Sequence, residues 1–277
     1  MFERRGAGRV LRLLVVLLAV LWSGFPILLV VASSLKPGRE IFAVPPTLIF
    51  EPTFEHYVRL WQEWPAFFRD MRNSLIVTAG ATLLTAVSAT AAGYVYSRCR
   101  STPLAASAFF MLFVRMLPPI IVTLPLFPVV NRLGLADTHL VLILLYASFF
   151  VSLATRIMKA FIDQIPQELE EAAMIDGASL GQTLRRVVLP LAAHGLVAAS
   201  IFVIVFAWNE FVFALVFTTR DARTAPLAIS EMLGTVEGVQ WGVLFAAATV
   251  QLAPIVLFVL AAQRYLMAGL AAGAVKG

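Results

Sequence analysis

The sequence predicts an all-α membrane protein with six transmembrane helices. Three observations lead there. Of 277 residues, 60% are apolar and only 13% charged, against roughly 25% charged in an ordinary soluble domain. Mean hydropathy is +0.89. Six apolar stretches each reach the length, about 20 helical residues, that crosses a bilayer. So few charges could not cover the core of a soluble protein of this length. That excludes a soluble enzyme, a nucleic-acid-binding domain and a disordered chain. No stretch alternates in hydrophobicity over about ten residues, as the strands of a membrane barrel do. The formal charge of +5 and pI of 9.8 point to membrane orientation rather than to an acidic partner. The one cysteine, Cys99, excludes an internal disulfide or a Cys-based zinc site. His56, His139 and His194 lie far apart in sequence, which argues against a His-rich metal site.

The stretches fall near 13–32, 74–97, 104–126, 138–160, 190–217 and 240–263. The first follows Arg4, Arg5, Arg9 and Arg12, a setting that also suits a signal peptide. Its apolar run is too long for that, and no clear small-x-small cleavage site follows, so it reads as a span. Residues 33–73 form a connection rich in Pro and aromatic residues, among them Trp61, Trp64, Phe67 and Phe68. Two readings stay open for it: an interfacial aromatic belt, or a docking surface for an external partner. The domain division follows: an N-terminal part, 1–73, and a five-span core, 74–277. Placing both termini in the cytoplasm puts twelve basic residues inside and eight outside, with Arg115 within a span. The bias favours that orientation. Cys99 then faces a reducing compartment, in keeping with its being unpaired. The chain has no convincing internal repeat, which weighs against an inverted-repeat secondary transporter.

The most informative segment is the polar loop 163–190 between the fourth and fifth spans. Pro166 suits the first turn of a helix, where its missing N–H costs nothing. Glu168, Glu170 and Glu171 sit near the positive end of that helix's dipole. Leu169, Ala172, Ala173 and Asp176 follow i, i+3, i+4, i+7 spacing and form a narrow stripe. Gly177 is placed as the C′ residue, where φ > 0 is common. Ser179 with Gln182 three residues on is a capping box. The spacing therefore predicts a surface helix over 166–176 and a second over 180–189 that leads into the fifth span.

Glu171-Ala172-Ala173, three residues, Gly177, nine residues, then Val187-x-Leu189-Pro190 resembles the EAA loop of permease subunits of binding-protein-dependent ABC importers. Val187 stands where that family usually has Ile. Asp176-Gly177-Ala178-Ser179 is similar to the version in the carbohydrate-uptake branch. Further likeness to that branch, in the subunit related to the maltose permease G subunit, lies in Ser34-Leu35-Lys36-Pro37, Arg115-Met-Leu-Pro-Pro119, Phe206-Ala-Trp-Asn-Glu-Phe211 and the C-terminal Gln263-Arg264, Gly269-Leu270 and Gly273–Gly277.

The resemblance implies a type I ABC importer permease in a bacterial inner membrane. It implies a second homologous permease as heterodimer partner, two ATPase subunits or domains, an external solute-binding protein and a sugar substrate. The chain has no G-x-x-x-x-G-K-[ST] loop, so it lacks a phosphate cradle. No cofactor is expected in it, and ATP and Mg are expected on the partner ATPase. Glu168, Leu169, Glu171, Ala172, Ala173, Asp176, Gly177, Ala178 and Ser179 are the coupling residues this implies.

Within the spans, Ala89-x-x-x-Gly93 is a small-xxx-small pair suited to close helix approach, though small residues are frequent throughout this chain. Pro118, Pro119, Pro125 and Pro128 are expected to break the third span, which is tolerated only where the backbone is buried or lines a cavity. Arg115 and Glu210 are ionisable groups in or near spans. With Asn209, Pro118 and Pro119 they are candidates for a substrate pathway; the other reading is that they satisfy neighbouring helices. A non-sugar solute, such as a glycerol phosphodiester or a polyamine, is an alternative cargo. A phosphate would call for several basic residues in the pathway, and only Arg115 lies within a span. A membrane-embedded transferase would need paired carboxylates. Glu168, Glu170, Glu171 and Asp176 are the one acidic cluster available, and dipole and docking roles explain them more simply.

Overall fold

The computed structural model describes residues 3–234 and 238–274. Lys276 and the last three residues of the C-terminal motif, 275–277, lie outside the described residues. Among the described residues every regular element is helical. Four helices are long and apolar enough to cross a membrane, and two bent helix pairs raise the number to six if each pair is one span.

The chain divides into two compact units. The first comprises residues 1–68 and 229–253, the second 69–228 and 254–277. In the first unit, α1 (Glu3–Leu35) carries the first apolar stretch. Its apolar window leaves no residue buried, so its side chains from Leu11 to Leu29 are free for lipid or another subunit. After a 3₁₀ turn at Gly38–Glu40, α2 (Glu55–Glu63) packs back on the end of α1. The Ser34 and Tyr57 hydroxyls are 2.7 Å apart, and His56 Nε2 lies 2.8 Å from the Lys36 carbonyl. Phe42 meets Trp241 edge to face, and Arg59 Nη2 donates to Gln240. Part of the aromatic segment is therefore packed: Phe67 is fully buried. Trp61, Phe42 and Phe54 remain largely exposed.

The second unit is built around α6 (His139–Ile162). Leu142, Tyr146, Phe150, Ala154, Met158 and Ile162 are all buried. They stand four residues apart, one ridge along a helix. α3 (Pro65–Arg98) presents Val77, Ala81, Ala89 and Gly93, again four or eight apart. α10 (Ala193–Trp208) presents Ala199, Val203 and Ala207. Small residues on the flanking ridges let backbones approach a bulky central ridge. Gly93 settles the question of the small pair. A Cβ there would lie 3.1 Å from the Lys159 backbone nitrogen and 3.3 Å from the Thr155 carbonyl. Backbone cannot yield as a side-chain tip does, so even alanine at position 93 would force α3 and α6 apart.

The third stretch is two helices, α4 (Thr102–Met116) and α5 (Pro119–Arg132), bent by 99° at Leu117–Pro118. Pro118 and Pro119 break the span as expected; Pro125 and Pro128 do not, and sit inside α5. Proline is tolerated inside spanning helices when neighbouring groups satisfy the freed carbonyls. The loop helix α7 covers Glu168–Ile175, shorter than 166–176 because Gln167 is its N-cap. The second loop helix is not one α-helix over 180–189. It is an α turn, α8 (Leu180–Thr183), a π turn over Leu184–Val188 and a last turn, α9 (Leu189–Leu191). Pro190 has no N–H for the Arg186 carbonyl, and its ring crowds that group. Widening to i→i+5 bonding, as in Leu189 N–H to Leu184 O, relieves the crowding. A 78° bend at Ala192 then leads into α10. The fifth stretch breaks again at Asn209–Phe211 before α11 (Val212–Phe217). α12 (Ala225–Met232) and α13 (Trp241–Ala274) complete the chain.

At the N-terminal end of α6, Asp137 holds the loop after α11. It has a left-handed φ of 57°, which Asp tolerates better than most residues. Its carboxylate accepts the backbone N–H groups of Thr219, Arg220, Asp221 and Ala222, and the Thr219 hydroxyl. Burial pushes the Asp137 pKa upward, but the N–H groups of Ala222, Asp221 and Thr219 outweigh it and hold it at about 2. A folded pKa below the unfolded value of 3.8 means stability present above about pH 4 and lost as pH falls towards about 2. Asp137→Asn is expected to loosen this loop by about 2 kcal/mol, the scale of charge-assisted hydrogen bonds. Faster amide exchange at Thr219–Ala222 at neutral pH, with no change at α7, is the readout.

Candidate functional site

The loop after α6 is anchored at two points. Arg98, the last residue of α3, directs Nε and Nη2 to Glu170 Oε1 at 2.9 and 2.6 Å. Its Nη2 also donates to the Ile165 carbonyl at 2.9 Å. The Tyr94 hydroxyl, one turn earlier on α3, donates to Glu170 Oε2 at 2.8 Å. Glu170 is buried, 4% exposed. The second anchor is Asp163, just past α6, which accepts from Ser97 Oγ and Lys159 Nζ at 2.6 Å each. Burial pushes Asp163 upward, but Lys159 and Ser97 hold it below the usual carboxylate range.

These anchors fix which face of α7 is free. Glu170 and the half-buried Ala173 point inward, while Glu168, Leu169, Glu171, Ala172 and Asp176 are exposed. The free face also carries Met174 and Ile175, the latter 86% exposed. The exposed surface mixes acidic Glu168, Glu171 and Asp176 with apolar Leu169, Met174 and Ile175, while the carboxylate of Glu170 is turned inward. Such a surface is suited to being covered by another protein.

The turn that follows accounts for the spacing of the motif. Gly177 has φ of 88°. The Ala178 N–H returns to Ala173 O and the Gly177 N–H to Met174 O, both at 3.0 Å. This is the Schellman pair of bonds that closes a helix when C′ takes a left-handed conformation. Ser179 then opens α8: its N–H reaches Gln182 Oε1 at 2.8 Å, and its Oγ accepts the Gln182 N–H at 3.4 Å. One residue, Ala178, separates the end of one helix from the cap of the next.

The pathway candidates fall at two breaks of the second unit, Leu117–Pro118 and Asn209–Phe211. Pro118 and Pro119 form the α4–α5 bend. The Arg115 guanidinium lies 5.7 to 6.0 Å from the ring centres of Phe149, Phe150 and Phe206, within cation–π range. It borders a cavity of about 190 Å³ between α4 and α6. Arg115 and Glu210 do not form an ion pair among the described residues. Glu210 instead accepts the Phe213 N–H at 3.0 Å, at the start of α11, and Asn209 Nδ2 donates to Val205 O at the end of α10. These contacts give both residues a local role in ending one helix and starting the next.

Sequence reasoning missed Arg98 and Tyr94 as partners of the loop and gave Glu170 only dipole and docking roles. Tyr94 and Arg98 stand at i and i+4 on one face, the one local signal that could have paired them.

Residues 89–271 match the model of the binding-protein-dependent transport system inner membrane component family. The chain belongs to that family. It is an ABC importer permease. It is 34% identical over 275 residues, 98% of this chain and 95% of the relative, to the trehalose/maltose transport system permease protein MalG of Thermococcus litoralis. It is 38% identical to the trehalose transport system permease protein SugB of Mycobacterium tuberculosis, over 94% of this chain and 93% of that one. The fold matches a chain of a bacterial ABC transporter involved in import of the acidic polysaccharide alginate, with a TM-score of 0.74 at 19% identity, covering 96% of this chain and 98% of that one.

Proposed function

We propose that this permease moves a sugar from an external solute-binding protein into the cytoplasm, by alternating access driven by a separate ATPase. One observation carries the mechanism: α7 is tied to the ends of α3 and α6 through Glu170 and through Asp163 in the segment before it, and leaves Glu168, Leu169, Glu171, Ala172 and Ile175 uncovered. A docked helix tied to the ends of α3 and α6 transmits displacement to both spans as a rigid body. An untethered helix would absorb the same displacement. The relatives that transport trehalose and maltose support a sugar cargo. The second homologous permease, the solute-binding protein and a bacterial inner membrane follow from the family, and the orientation with both termini inside from the distribution of basic residues. On this reading ATP and Mg bind the separate ATPase.

On this reading the exposed side of α7, with Glu168, Glu171, Ala172 and Ile175, meets the ATPase, and Arg115 with the α4–α5 and α10–α11 breaks borders the sugar path. The test has two arms. On a Cys99→Ser background, a cysteine at Glu55 is expected to label from outside the cell and one at Glu171 only after permeabilisation. External labelling at 171 overturns the orientation. Vesicles holding this chain, the second permease and the ATPase are expected to take up sugar only with ATP and binding protein together. Uptake by this chain alone would overturn the importer reading.

A further inference from the structure

A cavity of about 610 Å³ lies between the end of α3, the first half of α4 and the C-terminal half of α6. Its lining has two chemically distinct parts. Arg100, Arg156 and Lys159 bring three cations to it. Leu104, Ala105, Ala108, Met111 and Leu112 form an apolar wall along α4. Lys159 is neutralised by Asp163 at 2.6 Å. Arg100 and Arg156 are exposed, and neither meets a carboxylate within ion-pair distance among the described residues. Ser152 and Thr155, 5% and 3% exposed, also line the cavity, and their hydroxyl oxygens have no hydrogen-bond partner.

We propose that this cavity holds an anionic phospholipid, its phosphate between Arg100 and Arg156 and its first acyl methylenes along α4. Two unpaired guanidiniums match a phosphate by charge and by fork geometry. The apolar wall decides between sources of phosphate. A soluble anion gains nothing from Leu104, Ala108 and Leu112, whereas an acyl chain gains burial along them. The outer side of α4 carries exposed Phe109, Phe110 and Phe113, in keeping with a helix that borders lipid. Tyr96, Cys99 and Arg100 line the cavity at the end of α3, and the end of a spanning helix lies near headgroup depth. Basic residues at that depth attract anionic lipid. The leaflet follows from the orientation proposed above, and this proposal rests on that reading: it is the cytoplasmic one.

The test uses the permease purified with its second permease and ATPase in detergent, then incubated with phosphatidylglycerol or phosphatidylcholine. Retained lipid is counted by native mass spectrometry. Phosphatidylglycerol is expected to be retained over phosphatidylcholine. R100Q/R156Q is expected to lower retention roughly fivefold for each guanidinium removed. A108W, which fills the cavity and leaves the cations, is expected to lose the lipid too. R185Q/R186Q, which removes two exposed arginines outside the cavity, is expected to retain it. Equal retention of the two lipids, unchanged retention in R100Q/R156Q, or displacement of lipid by inorganic phosphate overturns the proposal. So does retention by the isolated chain that vanishes in the complex, since the second permease would then be the occupant. Cys99, exposed on the cavity wall, separates this proposal from the other. Labelling of Cys99 from outside the cell overturns the cytoplasmic leaflet. Lipid retention with no ATPase recruitment leaves this site standing and overturns the coupling role of α7.

Discussion

Glu170→Ala is expected to abolish sugar uptake while leaving the chain in the membrane. The substitution removes the one carboxylate that meets Arg98 and Tyr94 together. Breaking a buried pair from one side costs about 3–5 kcal/mol, because the remaining charge stays desolvated and unpaired. The loss is confined to the loop, since α3, α6 and α10 keep their shared ridge of buried side chains. Amide exchange over α7 should therefore rise sharply, and co-purification of the ATPase should fall. Arg98→Ala is expected to do the same with a larger stability loss, because it also frees the Ile165 carbonyl. The double variant Arg98→Met/Glu170→Leu separates stability from function. Replacing both ions by apolar groups of similar size removes the unpaired charge, so its stability should exceed that of either single variant and fall short of the wild type by the unpartnered Ile165 carbonyl and Tyr94 hydroxyl. If Glu170→Ala keeps full protection over α7 and full ATPase binding, the anchor is dispensable and the rigid-body account of coupling is wrong.

What could be read in the sequence divides by the range of the interactions involved. The spans follow from local hydropathy, and their centres lie where the apolar stretches are. Their ends do not. The start of α3 at Pro65 rather than near 74 escapes a hydropathy reading because the turns after its first carry polar Asp70, Asn73 and Ser74. Each of them is buried. Asn73 Nδ2 donates to the carbonyls of Asp221 and Arg223, and its Oδ1 lies 2.8 Å from His139 Nε2. The Ser74 hydroxyl accepts the Ala225 N–H. Partners about 150 residues away in the chain leave no trace in a hydropathy window. The loop shows the same division. Gly177 and the capping box are visible because their bonds join residues three to five apart. Glu170 was misread because its partner lies 72 residues earlier. The proline reading failed at Pro125 and Pro128 for a related reason: whether a proline ends a helix in a membrane depends on which neighbour takes the freed carbonyl.

Gly177→Val is expected to separate assembly from coupling. The φ of 88° at this position is a region that a β-branched residue enters only under strain. Space is not the obstacle, since no heavy atom lies within 4 Å of a Cβ built there. The cost is therefore conformational, on the order of 1–3 kcal/mol, and the backbone can relieve it by leaving the left-handed region. Relief has a definite consequence. The Ala178 N–H would move off Ala173 O and the Gly177 N–H off Met174 O, so the last turn of α7 would lose both closing bonds. Ser179 would start α8 at a different angle, because only Ala178 stands between Gly177 and that cap. The Glu170 anchor lies near the start of α7 and is untouched, so the helix should stay attached to α3 while the apolar end at Met174 and Ile175 changes direction. Normal membrane levels, weakened ATPase recruitment and lost uptake are the expected set. Gly177→Asn, which tolerates a left-handed φ better, should recover much of the recruitment. Gly177→Ala should fall between the two. If valine retains full recruitment and uptake, the turn does not set the docking angle. If asparagine fails as badly as valine, the position is sensitive to a side chain rather than to φ, and an ATPase surface must lie against Gly177 itself.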